Sequence, residues 1–145
     1  KNNFLLFYTG IRRDSSKILK AQFQIDKKQQ KILCKMRDQV DQIVNLVKKN
    51  KNPSEIGEVL DIGWTLKKNI SSKISNYKIE KYYKIAKRNG STGGKVLGAG
   101  GGGFLLIYAS SHKKQKILKS LNNLFRLEFS LDFEGTRITH HNKIF

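Results

Sequence analysis

Five of the six residues from Gly98 to Gly103 are glycine, Ala99 being the exception, and the apolar run Phe104-Leu105-Leu106-Ile107-Tyr108-Ala109 follows at once. No other stretch restricts the fold as much. Glycine loses more conformational freedom on folding than any other residue, so a cluster of it needs a structural reason. Backbone N–H groups without side chains around them let an anion or a second backbone approach closely. The run behind the glycines has strand length and aliphatic and aromatic content, and reads as a buried strand. Lys95-Val96-Leu97 ahead of them reads as a short extended piece. The expectation is a glycine loop held between two strands, a site and not a linker.

Two familiar glycine loops fail against this stretch. The phosphate loop of nucleotide triphosphatases needs Gly, four residues, then Gly-Lys-Ser/Thr. Here Asn89 stands where the first glycine belongs and Val96 follows Lys95. Gly98, Gly100 and Gly103 meet the dinucleotide spacing literally, but that fingerprint opens a helix and needs an acid about 20 residues on. A strand follows instead, and positions 115–125 hold no acid.

Along the chain, Asn3-Phe4-Leu5-Leu6-Phe7-Tyr8 reads as a strand ended by Thr9-Gly10. Asp14 or Ser15 caps a helix carrying Ile18 and Leu19. Ile32, Met36, Val40, Ile43 and Val47 form one stripe, so 30–49 reads as a long amphipathic helix with that stripe in the core. Asn52-Pro53-Ser54-Glu55 restarts a helix whose inner face carries Ile56, Val59, Leu60, Gly63 and Trp64. Residues 71–76 read as a loop or frayed helix end. Ile79, Tyr82, Tyr83 and Ala86 mark a further short helix, stopping at Asn89-Gly90. After the glycine loop, Ser110 or Ser111 caps a helix with Ile117, Leu121, Leu124 and Phe125 inward. Two short strands, 127–133 and 136–138, complete the order. Strands interleaved with helices in this way predict an α+β fold, a mainly antiparallel sheet with helices packed on one face.

Composition narrows the function classes. The 145 residues suffice for one domain with a real core. No run approaches membrane-helix length and no signal peptide opens the sequence, which points to the cytoplasm. Cys34 is alone, so an internal disulfide is excluded; it reads as small filler in or near the core. The net charge of +18 raises nucleic acid as a partner. Against that, the lysines are spread over every helix, and only six of the 29 basic residues are arginine, the type suited to phosphate and base forks. His140 and His141 have no cysteine or second histidine cluster at metal-ligand spacing.

The stretch Gly94-Lys95-Val96-Leu97-Gly98-Ala99-Gly100-Gly101-Gly102-Gly103 resembles the third conserved motif of the GHMP kinases, which include galactokinase, homoserine kinase and mevalonate kinase. Leu5-Leu6-Phe7-Tyr8-Thr9-Gly10-Ile11, Trp64-Thr65-Leu66-Lys67-Lys68 and Ile74-Ser75-Asn76 resemble the branch that phosphorylates D-glycero-D-manno-heptose 7-phosphate and related sugars. The likeness runs from Phe4 to about Ile138 and covers only that family's C-terminal domain, which is a ferredoxin-like sandwich.

The resemblance implies that residues 1–145 are one C-terminal domain. An N-terminal domain of the same polypeptide then supplies the Gly/Ser phosphate loop, the catalytic acid and the Mg2+ ligands. No segment here resembles that loop, so the chain is expected to be a C-terminal piece that is inactive alone, with no catalytic residue and no metal ligand of its own. ATP and Mg2+ are the implied cofactors, and a sugar phosphate the implied substrate. A fucose kinase or galactokinase type is the alternative within the superfamily. Gly98, Ala99, Gly100, Gly101, Gly102 and Gly103 are implied to face the inter-domain cleft near substrate and nucleotide phosphates. Lys95 and Arg12, or Arg13 beside it, are further candidates for a sugar phosphate, and Lys67 and Lys68 for the cleft wall. The competing explanation is that the glycines only let neighbouring elements pack closely. On the site reading, Val at Gly101 or Gly102 is expected to remove activity and leave the fold intact.

If the charge is compositional, DNA binding should be weak and indifferent to sequence, and should fall steeply with salt. Electrophoretic mobility shifts at low and physiological salt check this; tight binding to one sequence at physiological salt would make nucleic acid the partner.

Overall fold

A computed structural model describes residues 3–20, 26–130, 132 and 134–137. The elements are β1 (Phe4–Tyr8), α1 (Ser15–Lys20), α2 (Lys27–Lys48), α3 (Ser54–Lys68), a 3-10 turn at Ser72–Ile74, α4 (Tyr77–Arg88), β2 (Gly93–Val96), β3 (Phe104–Tyr108), α5 (Ser111–Ser120) and β4 (Phe125–Leu127). The strands form one four-stranded sheet in the order β2-β3-β1-β4. All three pairings are antiparallel, with β1 in the middle, Leu6 opposite both Leu106 and Leu127. This is the expected α+β sandwich with ferredoxin-like strand order.

Alternation along β1 and β3 sends Leu5, Phe7, Leu105 and Ile107 to one face. There they join Val96, Trp64 of α3, Ile79, Tyr83 and Ala86 of α4, and Ile117 and Leu121 of α5 in one buried cluster. The opposite face carries cross-strand aromatic pairs, Phe4 with Tyr108 at 5.5 Å between ring centroids and Tyr8 with Phe104 at 5.4 Å.

The helix α3 lies against β2 without side chains between them at one point. A Cβ on Gly93 would overlap the Gly57 carbonyl oxygen, and a Cβ on Gly57 would overlap the Thr92 hydroxyl. One turn along, Asp61 accepts from the Tyr83 hydroxyl and pairs with Lys87 Nζ at 2.8 Å, tying α3 to α4. Burial and the Asp61 carboxylate raise the Tyr83 phenol far above its ordinary value, so it stays protonated.

Four expectations need correction. The inward stripe of α2 is Ile32, Met36, Gln39 and Ile43, and Val40 and Val47 are exposed. The position shifts because Gln39 is buried with its amide donating to Val59 O at 3.0 Å, so a polar residue holds the crossing with α3. Cys34 is exposed and fills no core, since α2 meets the rest of the chain along that one side only. Phe125 does not face inward on α5: the helix ends at Ser120, and Phe125 opens β4 with 67% of its surface exposed. The terminal strand is Phe125–Leu127, whereas 128–130 and 134–137 are not strand; Leu131, Phe133, Ile138, His140 and His141 lie outside the described residues.

The α3–β2 contact yields a stability test. Gly93→Ala should destabilise the chain by about 2 kcal/mol or more, as forced overpacking does. Gly10→Ala, at a positive φ of 71° with nothing within 4 Å, should cost only about 1 kcal/mol. Urea unfolding midpoints at unchanged slope measure both.

Candidate functional site

The glycine loop closes a hairpin between β2 and β3. Val96 pairs with Leu105, and Leu97 N–H donates to Phe104 O at 2.8 Å, so the strands are held up to the loop's base. Within it, Gly98, Gly100, Gly101 and Gly103 all have positive φ, which explains the residue type.

The loop's carbonyls point back into the protein. Gly103 O accepts from Thr9 N at 2.9 Å and Thr9 Oγ1 at 2.8 Å. Arg13 Nη1 donates to Gly100 O, and to Gly102 O at 3.3 Å. Asn76 Nδ2 donates to Gly101 O at 3.1 Å, and Lys67 Nζ to Gly98 O. Two N–H groups are also used inward, Gly101 to Ile74 O at 2.6 Å and Gly103 to Ile11 O at 3.0 Å. The N–H groups of Gly98, Gly100 and Gly102 have no hydrogen-bond partner among the described residues.

This geometry divides the loop. A Cβ on Gly100 would come 2.7 Å from Ile74 O, one on Gly101 2.5 Å from Ile18 Cδ1, and one on Gly102 would overlap Ile11 O. Those three glycines allow close packing, so Val at Gly101 or Gly102 disturbs the fold, contrary to expectation. Gly98 is exposed, and only the end of Arg13 lies near its absent Cβ.

The basic residues sort themselves by position. Arg12 is exposed and bonds no loop atom; Arg13 does so instead. Lys68 turns away, pairing with Glu80 at 3.0 Å and lying 5.7 Å from the Trp64 ring centroid, while Lys67 reaches the loop. Lys95 is half-buried and lines the depression between α2 and α3 with Met36, Ile43, Leu60 and Gly63. Burial brings Lys67 from 10.5 down to about 8, and repulsion from Lys95 and Arg13 adds to the fall. Asn76 and Thr9 are loop partners that the sequence reading missed. In the sequence Asn76 stands out only within Ile74-Ser75-Asn76, by its resemblance; in the structure it also caps α4, its Oδ1 accepting from Ile79 N.

Among the described residues no group of three His, Cys, Asp or Glu side chains is placed to hold a metal ion. None of their helices is long and apolar enough to cross a membrane.

The family model described as "GHMP kinases C terminal" matches residues 32–127, which includes most of α2, α3, the glycine loop and all strands but β1. The chain belongs to the GHMP kinase C-terminal family. It is 36% identical over 84 residues to D-glycero-alpha-D-manno-heptose 7-phosphate kinase of Campylobacter jejuni, a match covering 57% of this chain and 25% of that protein. The bifunctional fucokinase/GDP-fucose pyrophosphorylase of Arabidopsis thaliana is 34% identical over 80 residues, 55% of this chain and 7% of that one. The matches thus span a quarter or less of these relatives' length. Among solved structures, Methanococcus jannaschii mevalonate kinase superposes with a TM-score of 0.65 at 26% identity, over 85% of this chain and 38% of that one. Streptococcus pneumoniae phosphomevalonate kinase, solved with phosphomevalonate and AMPPNP, shares the fold with a TM-score of 0.69 at 19% identity, over 86% of this chain and 39% of that one.

Because its pKa is lower in the folded chain, Lys67 costs stability wherever it is protonated in both states, below about pH 8. Between about pH 8 and the unfolded lysine value near 10.4 the unfolded chain holds the extra proton, so stability rises with pH. The stability of the wild type relative to Lys67→Met should therefore increase from pH 7.5 to pH 9.5, read from urea midpoints at each pH.

Proposed function

We propose that this chain is the C-terminal half of an ATP-dependent kinase that phosphorylates a sugar or sugar phosphate, a heptose 7-phosphate being the preferred substrate. An N-terminal domain of the same polypeptide completes the enzyme in the cytoplasm. The observation that carries the reading is the polarity of the glycine loop, whose carbonyls are bonded inward while the N–H groups of Gly98, Gly100 and Gly102 have no described partner. Gly100 and Gly102 are buried and Gly98 is exposed, so it is the Gly98 N–H that suits the negative charge of a transferring phosphoryl group or of a sugar hydroxylate. The family match and the two sugar-kinase relatives support the same substrate class.

Phosphoryl transfer depends on positioning and charge stabilisation, and this half fits both roles. Arg13, Asn76 and Thr9 fix the loop; Lys67 stands at its exposed end. In this reading Mg2+, the catalytic acid and the main hold on ATP belong to the N-terminal domain.

The 145-residue chain alone should show no ATP-dependent sugar phosphorylation, whereas the complete gene product should. In that product Gly98→Asn is the informative variant, because asparagine tolerates positive φ and the position is exposed. It should lower kcat/KM by about tenfold or more with a melting temperature changed by only a few degrees. Turnover by the chain alone at an ordinary kinase rate would overturn the split-site reading, and wild-type kinetics in Gly98→Asn would overturn the loop's role.

A further inference from the structure

We propose that Lys67, with Arg13 beside it, forms a binding site for a phosphate dianion at the exposed end of the glycine loop. The proposal rests on the kinase reading for its biological ligand, but its chemistry is independent of it. Lys67 comes from the last turn of α3 and Arg13 from the segment before α1, and both reach Gly98, while Lys95 of β2 lines the adjoining depression between α2 and α3 and adds to the positive charge. Among the described residues no carboxylate pairs with any of the three. The contrast with their neighbours is direct. Lys68, one residue on, has Glu80, and Lys87 has Asp61.

Lys67 and Arg13 each spend hydrogen bonds on loop carbonyls, Gly98 O for the first, Gly100 O and Gly102 O for the second. Those contacts fix where the cations stand without cancelling their charge. An ammonium has three donors and a guanidinium five, so both keep N–H groups for an incoming anion. The Gly98 N–H, without a partner among the described residues and in the exposed residue next to both, supplies a neutral donor. Cations this close repel one another, and Lys67 feels both neighbours. A dianion would relieve that repulsion and draw a proton onto Lys67. Arg13 and Lys95 are the charged groups facing it.

The shared chemistry is a phosphoryl group, and it has two sources, the phosphate already on the acceptor sugar or the γ-phosphate of ATP. The complete gene product is titrated with inorganic phosphate by calorimetry at pH 8.5, then assayed with acceptors bearing or lacking a phosphate. Lys67→Met should weaken phosphate binding by about tenfold or more, the loss expected on removing one charge-assisted hydrogen bond, and Lys67→Arg should restore most of it. Lys95→Met, whose side chain makes no described hydrogen bond, should weaken it less and serves if Lys67→Met folds poorly. Binding to the wild type should take up a proton, seen as a heat that depends on the buffer, and Lys67→Met should lose that uptake.

A rise in KM confined to the phosphorylated acceptor assigns the site to the sugar's phosphate; a rise in KM for ATP with either acceptor assigns it to the γ-phosphate. Phosphate binding unchanged in both Lys67→Met and Lys95→Met, or equally weakened by Lys84→Met on the distant surface of α4, overturns the proposal. Loss of phosphate binding in Lys67→Met in a protein that transfers no phosphoryl group would uphold the site and overturn the kinase reading alone.

Discussion

The fold and the candidate site both depend on α3 lying directly on β2. A side chain at Gly93 would run into the Gly57 carbonyl, and one at Gly57 into the Thr92 hydroxyl and the Tyr108 side chain, so both positions press helix and strand together. From that contact the two elements run on together. Ten residues of helix advance about 15 Å, and five residues of extended chain advance about 16 Å. That equality brings Lys67 of α3 level with Gly98 beyond β2, where its ammonium meets the carbonyl. The same helix register places Asp61 over α4 and Trp64 in the core, so one close approach sets three functions of α3 together. A bulkier residue at either glycine would lift all of them.

The glycine loop serves packing and recognition with different atoms. Its Cα positions at Gly100, Gly101 and Gly102 are pressed against Ile74, Ile18 and Ile11, which is a structural demand. Its carbonyls are bonded by Thr9, Arg13, Lys67 and Asn76, leaving alternate N–H groups without partners among the described residues. The two explanations for a glycine cluster, close packing and anion approach, therefore both apply. They fall on different residues: packing imposes least at Gly98 and Gly103, and of these two Gly103 spends its N–H on Ile11 O.

Much of this was legible in the sequence. The strands β1 and β3, α4 with Ile79, Tyr83 and Ala86 inward, and the loop itself follow from periodicity and glycine content, which are local signals. What was misread depends on partners far along the chain. Gln39 is polar and so was passed over in favour of Val40, yet it is buried because Val59 O accepts its amide across 20 residues. Arg12 and Arg13 are indistinguishable by composition, and only the return of the loop to Arg13, 87 residues on, separates them. Phe125 looked like core because aromatic residues usually are. It instead opens the strand that ends the sheet among the described residues, with no neighbour there on its outer side.

The central place of β1 in the sheet has a consequence during synthesis. Its strand partners are Phe104–Tyr108 and Phe125–Leu127, about a hundred residues later in the chain. At a translation rate of about 5–20 residues per second, an apolar strand of two phenylalanines, two leucines and a tyrosine waits roughly 5–20 s for its first partner. Helices α2 to α4 are complete well before then, but none can supply the strand edges that β1 lacks. Until β3 leaves the ribosome, β1 has two open edges, the state in which a strand is most prone to pair with other chains, so the order of the chain sets the interval of greatest aggregation risk.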